Sequence, residues 1–282
     1  MAAASGRPRR RVSGRSKALR RGGKRRPGEG GVRPARRRGA PRETAEARRD
    51  RAARILAGLH RLYPDADCAL QHRSAWELLV ATILSAQCTD ERVNQVTPVL
   101  FARYPSPAEL ARAEPKDVEA VVRSTGFFRN KTRSLIGAAR TLVERFGGRM
   151  PEAMDDLLTL PGVARKTANV LLGTWFRKNE GVVVDTHVGR LAQRLGLTWR
   201  SRDDKDAGRI EQDLMEVLPR PEWTFAGHAL IWHGRRVCGA RRPNCGGCAV
   251  SDSCPSAFRF ERAGGRASSE PRPPSLHSRG KP

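Results

Sequence analysis

Leu160-Pro161-Gly162-Val163-Ala164-Arg165-Lys166-Thr167-Ala168-Asn169-Val170-Leu171-Leu172 decides the fold. Met154–Leu160 just before it reads as a short helix. Val163, Ala168, Leu171 and Leu172 then fall at helical spacing, so the second part is a helix with one face in a core. The Pro-Gly pair leaves room for only a tight turn, and the two segments form a helical hairpin. Outward from this hairpin the helical period dominates, from Glu43 to about Phe260. Trp76, Leu79, Val80 and Ile83 make one apolar stripe, and Val93, Val96, Thr97 and Leu100 another. Leu135, Ala139, Leu142 and Phe146 make a third, with Ile136 and Val143 beside them. Ser106-Pro107-Ala108-Glu109 is a capping box that opens a helix. Gly126 ends the helix holding Val118, Val121 and Val122, and Gly147-Gly148 ends the next one. Val182-Val183-Val184 is the one strand-like run, too short and isolated to build a sheet. The expected fold is all-α with short connections.

Composition bounds the partner. The chain has 282 residues and a formal net charge of +25, which points to a polyanion, nucleic acid before membrane. Residues 1–42 hold 16 Lys/Arg against one acid, Glu29, and read as a disordered basic tail that adds non-specific DNA affinity. Residues 260–282, rich in Arg, Gly, Ser and Pro, read as a second tail. Aromatic residues make up 5%, which argues against an aromatic-rich β-sandwich. No run approaches the roughly 20 apolar residues of a membrane span, and no apolar core follows the basic start as a secretion signal requires. A cytoplasmic setting is expected, nucleoid-associated if the chain is bacterial, with reduced cysteines.

Three features carry chemistry. A helix starting at once after a Pro-Gly turn presents free N–H groups and a partial positive charge, which suit a phosphate; an ordinary αα-hairpin has the same turn. Lys166 lies in that helix's first turn, where the dipole disfavours a cation and favours the free amine that a Schiff-base nucleophile needs. Arg165 beside it acts the same way, while contact with a phosphate is the other reading of Lys166. Asp185 follows the three valines and precedes Val188, Leu191, Ala192 and Leu195, so it caps a helix. It is also placed to deliver a carboxylate to a cleft, to accept a proton or steady a sugar cation. Cys238-x6-Cys245-x2-Cys248-x5-Cys254 is a metal-site pattern, open to zinc or an iron–sulfur cluster. Arg241 and Arg242 in its first loop offer guanidinium groups to phosphates. Cys68 and Cys88 read as packing residues.

From about Arg51 to Cys254 the chain resembles the endonuclease III family of helix-hairpin-helix DNA glycosylases. Leu84-Ser85-Ala86-Gln87-Cys88-Thr89-Asp90, the hairpin, Val184-Asp185-Thr186-His187 and the cysteine spacing carry the resemblance together. It implies two helical domains: a six-helix domain over 68–178, with the hairpin at about 154–172, and a cluster domain joining 43–67 to 179–259. It implies a [4Fe–4S] cluster on Cys238, Cys245, Cys248 and Cys254, with Lys166 and Asp185 catalytic. It further implies that Gln87 fills the space left by a flipped base, that Phe127 wedges beside it, and that Gly162, Ala164 and Arg165 meet the backbone phosphates. The expected activity is base-excision repair: a monomeric glycosylase and abasic-site lyase acting on oxidised or saturated pyrimidines in duplex DNA. Ala164 stands where the family usually has glycine, and alanine at positive φ costs on the order of one kcal/mol. The basic tail is expected to compensate.

Three rival readings share parts of this pattern. An adenine-specific mismatch glycosylase generally lacks the hairpin lysine and carries a further C-terminal domain. The 8-oxoguanine glycosylase branch lacks the cysteine cluster. The third is a non-catalytic DNA-binding module with a structural zinc: visible absorbance would count against zinc, and catalytic activity would remove the module reading.

Overall fold

The computed structural model describes residues 43–260, so the two tails lie outside the described residues apart from Phe260. The described backbone is helical, with one isolated antiparallel bridge, Cys238 to Pro243, and no strand. Eleven α-helices follow in order: α1 (Ala45–Leu62), α2 (Ala75–Leu84), α3 (Asp90–Arg103), α4 (Pro107–Ala111), α5 (Pro115–Val122), α6 (Phe128–Phe146), α7 (Met154–Leu158), α8 (Arg165–Val170), α9 (Thr186–Arg194), α10 (Ala207–Val217) and α11 (Trp223–Arg236).

Their starts obey local chemistry. The Thr44, Ser74 and Thr89 hydroxyls accept from the backbone N–H groups of Ala47, Glu77 and Arg92, meeting donors that no earlier turn can serve. Ser106 and Glu109 form the expected capping box. Gly147, at φ +59, closes α6 in the left-handed conformation.

The stripes build two apolar cores. α2, α3, α5, α6 and the hairpin helices surround the first, with Leu78, Leu79, Val93, Leu135, Leu142 and Leu171 shut off from solvent. α1, α9, α10 and α11 surround the second around Ile55, Leu59, Leu191, Ile210, Leu214 and Leu230. Each such side chain contributes about 1.5–3 kcal/mol by leaving water. Val143 is the exception among the stripe residues: it is exposed, because it falls on the outer face of α6.

The three valines explain how the cores are joined. Val183 packs in the first core, while Val182 and Val184 pack in the second. An extended chain turns successive side chains to opposite sides, so this segment runs along the seam and serves both. A sheet is not needed to use the extended run.

Candidate active site

The hairpin turn depends on one glycine. Val163 N–H donates to Leu160 O at 3.1 Å, closing the turn around Gly162 at φ +81. A Cβ on Gly162 would stand 2.6 Å from Ser134 Cβ and 2.8 Å from its Oγ, so both conformation and close approach to α6 call for glycine. Ala164 is different. It caps α8 at φ −99 and ψ 170, ordinary extended backbone, and the expected penalty at this position does not exist. No side chain caps α8, and Ala164, Arg165 and Lys166 are exposed. Val163 and Ala168 anchor the helix in the first core. After six residues it widens into a π turn, Leu171–Trp175, in which Phe176 N–H reaches back to Leu171 O.

Lys166 thus presents its amine at the surface, on a helix whose other face is buried. Arg165 does not reach outward with it. Its Nε donates to both carboxylate oxygens of Glu211, at 3.1 and 3.0 Å. Asn169, one turn on, donates through Nδ2 to the same carboxylate at 2.8 Å. Gly181 packs into this junction. From there the three valines lead to Asp185, whose Oδ1 accepts from His187 and Val188 N–H, both at 2.8 Å, as the cap of α9. Asp185 is half-buried, and its Oδ2 takes no hydrogen bond among the described residues. Both predicted catalytic residues therefore stand at helix starts that flank one junction.

Gln87 and Phe127 are both exposed, and both are non-glycine residues in the left-handed region, at φ 53 and φ 49. Such conformations cost roughly 1–3 kcal/mol and persist where surrounding structure imposes them. Lys131 supplies part of that constraint. It is buried, and its Nζ donates to Thr125 O at 2.7 Å, pinning the turn that precedes Phe127. Burial holds the Lys131 amine below its ordinary pKa, while Cys88, next to Gln87, is near enough to favour the charge. The turn Arg123–Thr125 before Phe127 packs against α3, which begins three residues after Gln87, so the two loops lie on neighbouring elements. Lys131 went unread in the sequence, although a lysine four residues before Leu135 interrupts an apolar stripe and marks the position.

Cys238, Cys245, Cys248 and Cys254 line one pocket with Leu191, Leu195, His233 and Pro243. The thiols are free. Burial pushes the thiols of Cys248 and Cys254 up, and neighbouring cysteines add like charge. A cation held among them offsets both effects, so the donor set fits a metal group. α9 supports the loop from beneath. Arg190 donates to Gly234 O and Cys238 O, and Arg194 to Cys238 Sγ at 3.3 Å and to Gly239 O and Ala240 O. His233, fully buried, lies between Cys248 Sγ at 3.3 Å and Tyr63 Oη at 3.1 Å, and burial lowers its pKa to about 4. Arg241 and Arg242 stand exposed on the outside of the loop. Cys68 and Cys88 pack half-buried against the first core, away from this pocket.

Residues 80–220 match the family described as HhH-GPD superfamily base excision DNA repair protein. Endonuclease III of Synechocystis sp. is 54% identical over 211 residues, covering 75% of this chain and 94% of its own. Endonuclease III of Bacillus subtilis is 36% identical, covering 72% and 91%. A trapped endonuclease III–DNA covalent intermediate superposes with a TM-score of 0.70 at 36% identity, over 75% of this chain and 97% of its own. The chain belongs to the endonuclease III family of the HhH-GPD superfamily of base excision DNA repair proteins.

Proposed function

We propose that this protein is a bifunctional DNA N-glycosylase and abasic-site lyase that removes oxidised pyrimidines from duplex DNA. One observation carries the reading: an exposed lysine on the hairpin helix and an aspartate with one free carboxylate oxygen begin two helices that flank a shared junction. Asp185 takes a proton from Lys166 or steadies the sugar cation. The neutral amine attacks C1′, and the C1′–N bond electrons leave with the base. The sugar ring opens as the imine forms. The imine then acidifies C2′–H, whose loss expels the 3′ phosphate by β-elimination. Hydrolysis frees the amine.

Gln87 and Phe127, projecting from adjacent strained loops, are placed to enter the stack where a nucleotide leaves it. Gly162 and the exposed start of α8 suit the phosphate backbone, as do Arg241 and Arg242. The endonuclease III on which the chain superposes is held in a complex with DNA, which supports binding to DNA here. The protein is proposed to act as a monomer. Its two cores are read as the six-helix domain and the cluster domain. The four cysteines would hold a [4Fe–4S] cluster. Four thiolates accept either a zinc or an iron–sulfur cluster, and membership of the endonuclease III family favours the cluster. When bound, such a cluster cross-links the loop and offers one-electron chemistry.

The test is borohydride trapping on duplexes carrying thymine glycol or an abasic site. Wild-type protein is expected to form a covalent adduct and Lys166→Ala none. No adduct from wild-type protein that binds the duplex would refute the Schiff-base mechanism.

A further inference from the structure

Glu211 belongs to α10, yet its strongest partners lie on α8. Its side chain is 9% exposed. It takes Arg165 Nε on both oxygens and Asn169 Nδ2 on Oε1. Arg165 and Asn169 are four residues apart, so one carboxylate grips successive turns on one face of the helix. Lys166 follows Arg165 directly and points about 100° away around the axis. The grip therefore fixes the helix without occupying the amine.

The same carboxylate seats the segment that leads to Asp185. A Cβ on Gly181 would meet Glu211 Oε1 at 2.1 Å and Asn169 Nδ2 at 2.5 Å. Arg165 Nη2 adds a long bond to Glu180 O at 3.5 Å. α8 is anchored in the first core through Ala168 and Val170, and α10 in the second through Ile210 and Leu214. Asn169 is buried with Oδ1 unpartnered, so its bond to Glu211 is what holds the amide.

We propose that Glu211 is a positioning residue: it spans the seam between the cores and holds Lys166 in register with Asp185. Arg165, expected from the sequence to bind DNA, is on this reading the other half of an internal clamp. The proposal rests on the Lys166–Asp185 mechanism above.

The experiment uses cluster-loaded full-length protein carrying Glu211→Ala, Glu211→Gln or Arg165→Ala. Two quantities are read for each: the single-turnover rate of borohydride trapping at saturating abasic duplex, and affinity for a duplex with a tetrahydrofuran abasic analogue. Displacement of a reacting group by about 1 Å costs roughly 100-fold, so Glu211→Ala is expected to slow trapping about 10- to 100-fold. Its affinity should stay within about threefold of wild type. Glu211→Gln keeps an acceptor for Asn169 and should recover most of the rate. Arg165→Ala should slow wild type but add little to Glu211→Ala, because both break one contact. If Glu211→Ala does not fold, Arg165→Ala carries the same comparison of rate against affinity. Unchanged rates in folded variants would overturn the clamp alone. So would an Arg165→Ala defect confined to affinity, with a salt slope reduced by about one, which places Arg165 on a phosphate. No adduct even from wild type would overturn the lysine mechanism and the clamp together.

Discussion

Replacing Gly162 by alanine tests how the hairpin is built. At φ +81 an L-residue costs about 1–2 kcal/mol. The new Cβ would also meet Ser134 Cβ at 2.6 Å, and Ser134 Cα lies only 3.7 Å away. A Cβ is fixed by its backbone, so no rotamer of Ser134 relieves the overlap and α6 or the turn must shift. Forcing extra atoms into a packed site costs about 1–3 kcal/mol. The total is roughly 2–5 kcal/mol, and at about 2–4 °C per kcal/mol for a chain of this size the melting temperature should fall by roughly 4–20 °C. Affinity for the abasic-analogue duplex should fall with it, since the turn sets the start of α8. Ala164→Gly is the matched control. At φ −99 glycine relieves nothing and only frees the unfolded chain, so it should cost about 0.4–1 kcal/mol. Adding Ser134→Gly to Gly162→Ala should recover the steric part of the loss, measured against Ser134→Gly alone. Thermal unfolding at a fixed scan rate reads the four variants beside wild type. A Gly162→Ala protein within a degree of wild type, or an Ala164→Gly protein several degrees more stable, would refute the reasoning.

Gln87→Gly trades about 1–2 kcal/mol of left-handed strain for about 0.4–1 kcal/mol of added freedom in the unfolded chain, so the melting temperature should hold or rise by up to a few degrees while base excision falls; a variant several degrees less stable and fully active contradicts this. Arg194→Ala removes three hydrogen bonds to the cysteine loop and should speed loss of iron to a chelator, followed by visible absorbance; wild-type release would show that the loop does not need the arginine. Burial holds His228 below its ordinary 6.5 although Asp67 lies 3.9 Å away, so the unfolded chain takes the proton first as pH falls. Its contribution is full above about pH 6.5 and is lost as pH drops through the lowered value, so His228→Gln should flatten the acid loss of stability; an unchanged pH profile would exclude His228 as a source.

The sequence by itself determined what is local. Apolar spacing gave α2, α3 and most of α6, and Ser106, Gly126 and Gly147 marked boundaries, because period and capping act within a few residues. The Pro-Gly turn located the hairpin for the same reason. Val143 and Ala164 were misjudged because a helix's outer face and a residue's φ are set by neighbours that no short window contains.

What only the tertiary structure decided is long-range pairing. Glu211 meets Arg165 and Asn169 across more than forty positions, and Arg190 and Arg194 find the Cys238 and Gly239 carbonyls of a loop as distant. Val182, Val183 and Val184 acquire a role only when two cores stand on either side of them. A buried charge is tolerated only beside its partner, and a partner's place in space follows from packing, not from its place in the chain.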